Sequence, residues 1–138
     1  MTPELEREQR VEPKAVVGAT GRVFGLEVGH DGRIQLTRDL PENGLRPSVS
    51  FLFRSLAEVS GKGAVAGLLS GMGRDGAEEL KLLRDRGAIT FAQDEASSVV
   101  HGMPGEAIRL GAATYVLHPD KIAPTLAALA NNRKANKR

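Results

Sequence analysis

The residues best placed to do chemistry lie in two short polar stretches. The first, Ser70-Gly71-Met72-Gly73-Arg74-Asp75-Gly76, sets three glycines around one aspartate. Glycines let a backbone come close to a partner. Asp75 also stands just before a helix expected from Ala77, where the partial positive charge of the helix end favours an ionised carboxylate. Two readings follow: Asp75 caps that helix, or it serves a site. A phosphate-binding role is disfavoured, because the stretch does not match G-x-x-x-x-G-K-[ST] and has no such lysine. The second stretch, Gln93-Asp94-Glu95-Ala96-Ser97-Ser98, supplies two hydroxyls, of the kind that usually bond to their own loop. The sequence holds three histidines: His30 in a turn, His118 before Pro119, and His101 in Val100-His101-Gly102-Met103-Pro104. They form no pair or cluster of the sort a metal needs. With no cysteine, a thiol nucleophile, thiolate metal sites and disulfides are excluded.

These stretches need elements to hold them. Met1 to Lys14 alternates charges with little apolar content and reads as a flexible lead-in, or at most a short helix. Ala15-Val16-Val17 suggests a buried strand. Val23 to Val28 and Arg33 to Thr37, joined through Asp31-Gly32, predict a hairpin, since Asp-Gly accommodates positive φ in a tight turn. Pro41 to Pro47 reads as a loop. Ser48 is placed to cap a helix through about Val59, with Val49, Leu52, Phe53 and Leu56 at helical spacing. Ala64 to Leu69 is a continuous apolar run, as in a parallel strand covered on both faces. A helix over Ala77 to Arg86, a strand over Ala88 to Ala92, a helix opened by Pro104, a strand over Thr114 to Leu117 and a helix from Pro119 to about Ala130 complete the chain. Pro124 fits that last helix only within its first turn. The alternation predicts an α/β fold, a doubly wound and mostly parallel sheet with a β-hairpin. In such sheets ligands sit beyond the C-terminal strand ends, where both polar stretches and the region after Leu117 fall.

Gly71-Met72-Gly73-Arg74-Asp75-Gly76-Ala77 resembles a motif of the chemotaxis-receptor protein-glutamate methylesterases. So do Ala92 to Val100, with Gly102-Met103-Pro104 after it. Arg46-Pro47-Ser48-Val49 with Leu52-Phe53-Arg54-Ser55, and Glu106-Ala107-Ile108 with Gly111-Ala112-Ala113, resemble further segments of the same family in the same order. The resemblance runs from about Val16 to Leu129. It implies an incomplete version of the family's domain, resembling its C-terminal half. That family hydrolyses glutamate methyl esters on receptor helices, and often deamidates glutamines there, with a Ser-His-Asp triad. Asp75 takes the place of the triad aspartate, which would hold an imidazole in one tautomer. Gly71, Met72, Gly73, Ser97, Ser98 and Met103 would line the active-site loops.

The family's serine turn, A-S-x-G-G, and its histidine segment, Q-H-M, do not occur in these residues. Val17-Gly18-Ala19-Thr20-Gly21 registers better with a later A-P-G turn than with the serine turn, which would put Thr20 at the nucleophile. Thr20, Ser70, Ser97 and His101 are the remaining candidates for a replaced nucleophile or base. An aspartate alone gives no acyl-transfer power, so the chain by itself is expected to be inactive. Three readings stand: a partial or degenerate domain, an enzyme completed by another chain, and an interaction module working through an exposed sheet edge, as a homodimer or with a partner. The implied partner is a methyl-accepting receptor, no cofactor is called for, and any phosphorylation control would act from another protein, no receiver unit preceding this region.

Composition supports a protein that is cytoplasmic, neither inserted in a membrane nor bound to nucleic acid. No apolar run reaches the ~20 residues of a membrane helix. Four of the nineteen basic residues crowd into positions 131–138, leaving fifteen against seventeen acids. The pI of about 9.2 is therefore a property of a basic tail, expected to be disordered, and not of a nucleic-acid face. The organisation expected is a lead-in over 1–14, a partial methylesterase-like domain over 15–130 and the tail over 131–138.

Overall fold

Short strands of small and branched residues separated by helical stretches build a parallel sheet. In the computed structural model, which describes residues 9–10, 25–37 and 48–136, β4 (Val65–Leu68), β5 (Ile89–Gln93) and β6 (Tyr115–Leu117) pair in that order, all parallel. β5 is central, with Ala66 opposite Thr90 and Ala92 opposite Val116. Between the strands run α2 (Ala77–Asp85) and α3 (Met103–Arg109), and α4 (Pro119–Asn136) follows β6. The fold is α/β, as the alternation of elements requires. The strand expected at Ala15 to Val17, the turn holding Thr20 and the loop Pro41 to Pro47 lie outside the described residues.

The core lies on one face of this sheet. Ala66, Leu68, Thr90 and Ala92 point to it, and α2 sets Ala77, Leu80 and Leu83 against them with no exposed surface on any of the three. This is the stripe that the helical spacing predicts. The alternate residues Val65, Gly67, Ile89 and Phe91 are only half-buried, and Tyr115 and Val116 are exposed. The expectation that β4 is covered on both faces is therefore corrected. Its apolar continuity reflects one packed face and one covered in part, where the Phe91 ring lies across Gly67. A Cβ at Gly67 would fall 2.3 Å from that ring.

Helix α1 (Val49–Ser60) is the hinge of the architecture because it is apolar on two sides. Phe53 and Ala57 join the main core, while Leu52, Leu56 and Val59 pack on Val28 and Ile34 of the hairpin. The hairpin strands β2 (Gly25–Val28) and β3 (Arg33–Thr37) pair antiparallel. Its turn works as the Asp-Gly pair predicts: Gly32 has φ +80°, and Asp31 accepts a hydrogen bond from Arg33 N at 3.0 Å. Gln9–Arg10, within the expected lead-in, forms β1 and pairs with β3.

α4 departs from expectation in two ways. It continues to Asn136, beyond the expected end near Ala130, and Pro124 lies in its second turn. Proline cannot donate to the carbonyl four residues back, at Asp120. Both residues are exposed, so water can take up the carbonyl that loses its partner.

Gly67 yields a test of the packed sheet. Gly67→Val should cost roughly 1–3 kcal/mol through overpacking against Phe91, seen as a lower urea midpoint. Phe91→Leu in the same chain should recover part of that loss. Additive effects would mean that the two positions do not meet.

Candidate functional site

The site is built where the strand β4 gives way to the glycine-rich loop. Asp75 is 7% exposed, and its carboxylate accepts hydrogen bonds from the start of α1. Oδ1 receives Ser48 Oγ at 2.8 Å, Ser50 Oγ at 2.8 Å and Ser50 N at 3.2 Å; Oδ2 receives Val49 N at 2.7 Å. The first backbone N–H groups of a helix have no partner within it, so a carboxylate brought from elsewhere satisfies them and meets the positive end of the helix dipole. Burial pushes the Asp75 carboxyl up, but the Ser50 hydroxyl, Val49 N, Ser48 hydroxyl and Ser50 N together outweigh it and hold the group below its ordinary value.

This geometry corrects two expectations about capping. Ser48 does occupy the N-cap position of α1, yet its hydroxyl makes no cap bond and donates to Asp75 instead. Asp75 caps α1 and not the helix beginning at Ala77. The N-cap of α2 is Gly76, at φ +87°, a backbone angle open to glycine at little cost. A Cβ there would also lie 2.6 Å from Val49 Cγ1, so loop and helix touch closely.

The other residues expected in the site gather in a second polar network beside the first part of the same loop. Gln93, at the end of β5 and 6% exposed, accepts from Ser70 N at 2.7 Å through Oε1. Its Nε2 donates to Ser97 O at 3.0 Å and Ser97 Oγ at 3.1 Å. One amide thereby ties the loop after β4 to the loop after β5. Ser97 also donates its hydroxyl to Asp94, and Ser98 Oγ donates to Asp94 O at 2.7 Å. Gly71 N donates to Val100 O at 2.9 Å, while Gly71 O receives both Gly102 N and Met103 N. Met103 packs beneath Gly71, where a Cβ would lie 2.7 Å from its sulfur. Gly73 has φ +85°, and its backbone approaches Gly102 so closely that a Cβ on Gly102 would fall 2.8 Å from Gly73 O. Met72 and Val99 flank this junction and are 83% and 94% exposed.

The nucleophile and base candidates are committed to this scaffold. Ser70 Oγ donates to Val100 O at 3.2 Å and accepts from Val100 N at 3.0 Å. His101 Nε2 lies 3.1 Å from Gln93 O; a carbonyl only accepts, so that nitrogen carries the proton. Thr20 lies outside the described residues, and among these no group of three or more His, Cys, Asp or Glu could hold a metal. Sequence reasoning passed over Gln93 and Ser50 as site residues. The signal for Gln93 was a long amide closing a buried strand, and for Ser50 a hydroxyl one position from the apolar stripe of α1.

Fold and site together define an α/β domain whose polar loops, one of them carrying a buried carboxylate, gather at the C-terminal ends of a parallel sheet. Comparison with known proteins then specifies the class. The family model described as CheB methylesterase matches residues 2–126. A protein-glutamate methylesterase/protein-glutamine glutaminase of Nitrosospira multiformis is 61% identical over 114 residues, covering 83% of this chain and 32% of that protein. One from Pseudomonas aeruginosa is 48% identical over 116 residues, covering 82% and 33%. The crystal structure of the Thermotoga maritima CheB methylesterase catalytic domain is similar with a TM-score of 0.72 and 33% identity, over 80% of this chain and 60% of that one. The chain belongs to the CheB methylesterase family. It spans about a third of the length of the curated relatives it matches.

The depressed Asp75 titration has a stability consequence. Its contribution is fully present above the ordinary carboxylate range near ~3.9 and is lost as pH falls through the lower folded value. Asp75→Ala should cost roughly 1.5–3 kcal/mol at neutral pH, because it strips a charged acceptor from α1. Urea unfolding from neutral to acid pH should show the gap to the wild type closing. A gap that ignores pH would assign the loss to packing.

Proposed function

We propose that this chain supplies the aspartate and two active-site loops of a protein-glutamate methylesterase site. The carrying observation is Asp75 itself: ionised, buried and rigidly bonded on the loop Gly71 to Gly76, at the strand ends of a domain belonging to this family. In a Ser-His-Asp site its task is to orient an imidazole and stabilise the imidazolium, while serine attacks the ester carbonyl and methanol leaves. The loop residues Gly71, Gly73, Ser97, Ser98 and Met103 shape the rim, with Met72 presenting an apolar side chain to substrate. The acting unit on this reading runs over residues 15–130, with Gln9–Arg10 of the lead-in paired to it as β1 and α4 continuing into the basic segment as far as Asn136.

Serine and histidine motifs of the family do not occur in the 138 residues. The described hydroxyls of Ser70, Ser97 and Ser98 are held by loop partners, which argues against their serving as substitutes. On this reading the nucleophile and base come from outside these residues, from a longer protein or a second chain. The names of the relatives point to methyl esters of protein glutamates and amides of protein glutamines as substrates; on this reading a methyl-accepting receptor carries them. Among the described residues no helix is long and apolar enough to cross a membrane. A second reading, an interaction module, draws on β4, which pairs within the described sheet on one side only. An unpaired edge is a template for association.

Both readings meet one experiment. The chain alone should hydrolyse a glutamyl methyl ester no faster than its Asp75→Ala variant. Joined to the remaining part of the Nitrosospira multiformis relative, it should turn over, and Asp75→Ala should then lower kcat by roughly 10⁴-fold, the order seen when a triad aspartate is lost. An inactive but folded fusion would leave the interaction module, to be read from molar mass in solution. Asp75-dependent turnover by the chain alone would overturn the claim that nucleophile and base lie elsewhere.

A further inference from the structure

We infer that Ser50 is the positioning residue for Asp75: from the first turn of α1 its hydroxyl fixes the orientation of the carboxylate that an imidazole would meet. Ser50 is 1% exposed and meets both the side chain and the backbone of the site loop. Its Oγ donates to Asp75 Oδ1 at 2.8 Å and accepts from Gly76 N at 2.9 Å, while its own amide reaches Oδ1 at 3.2 Å. One residue therefore sets where Oδ1 sits and also anchors the peptide that follows it. Ser48 and Val49 each add one bond, from the cap and from the backbone.

The chemistry of the position favours a hydroxyl. A hydroxyl donates to the carboxylate and still accepts from Gly76 N, whereas alanine would withdraw both bonds. A second carboxylate there would face Asp75 at close range, and like charges cannot share a buried site without one taking up a proton. The surroundings leave little slack, since Gly76 presses on Val49 and Ser50 lies in the first turn of a helix that both cores grip. Of the four bonds that lower the Asp75 titration, the one from the Ser50 hydroxyl has the largest effect. A group that fixed only the packing of α1 would not set this charge.

The inference takes its catalytic meaning from the reading of Asp75 as a triad aspartate, but its test does not depend on activity. The experiment is an NMR titration of the Asp75 side-chain carboxyl in the whole chain, carbon-13 labelled at aspartate. Ser50→Ala should move the Asp75 midpoint upward, by more than Ser48→Ala does, and Ser50→Thr, which keeps the hydroxyl, should titrate as the wild type. If Ser50→Ala does not fold, Ser50→Cys places a weaker donor in nearly the same volume and should also move the midpoint upward. A wild-type titration in Ser50→Ala or Ser50→Cys, or the Ser50→Ala shift in Ser50→Thr, overturns the assignment. An inactive fusion would remove the methylesterase reading and leave the Asp75 midpoints, and the role they assign to Ser50, unchanged.

Discussion

One buried negative charge organises the central part of this molecule. Asp75 lies between two helices that meet at their N-terminal ends: it stands two positions before α2, and its carboxylate takes the first amides of α1. A carboxylate out of water is costly unless donors replace the lost solvent. Here two hydroxyls and two amides do so, and the dipole of α1 adds to them. The same bonds fix the loop after β4, because the charge cannot leave the end of α1 without exposing unsatisfied groups on both partners. Gly76 then has to turn through positive φ to launch α2 while lying against Val49.

A second constraint acts on the other half of that loop. Gln93 gives its carbonyl oxygen to Ser70 N and its amide nitrogen to Ser97, so the loops after β4 and β5 share one buried side chain. Gly71 is bound to Val100, Gly102 and Met103 along the opposite side. The glycine-rich loop is thus held at its start by β5 and at its end by α1. Between these anchors, Met72 is left exposed. A loop fixed at both ends by buried hydrogen bonds suits a site that must be preorganised, since geometry set by rigid elements needs no rearrangement when charge develops.

Much of the fold was legible because each element had its own local cause. The stripe of Ala77, Leu80 and Leu83 marked α2, and the Asp-Gly turn marked the hairpin. Tertiary context decided what sequence pattern could not. Ser48 carried the chemical signature of an N-cap, and no local rule says that a carboxylate 27 positions away would take its hydroxyl. Ser50 and Ser55 are polar and would be assigned to water, yet both are buried, Ser50 on Asp75 and Ser55 on Val28 N. The apolar run through β4 could not report that one face is only half-covered, since periodicity is blind to which partners arrive. Asp75 was singled out by a motif and not by physics. Its glycine-rich surroundings fitted a cap for α2 equally well until the structure showed which helix it serves.

That ambiguity has a physical root. A carboxylate that orients a catalytic imidazole must be ionised, immobile and shielded, and a carboxylate that caps a helix from another part of the chain meets the same three requirements. The capping donors concentrate on Oδ1, where both serine hydroxyls and Ser50 N arrive, while Val49 N meets Oδ2. On the proposed reading, α1 acts as the support that a triad aspartate needs, and the stability of the helix and the orientation of the imidazole draw on one charge. Both would fail together once that charge is protonated, whereas a substitution at Ser50 that keeps Val49 N and the carboxylate in place would weaken orientation before it unfolds the helix. The dependence therefore runs from helix to site: the end of α1 makes Asp75 a fixed anion, and only a fixed anion can serve the chemistry of this family.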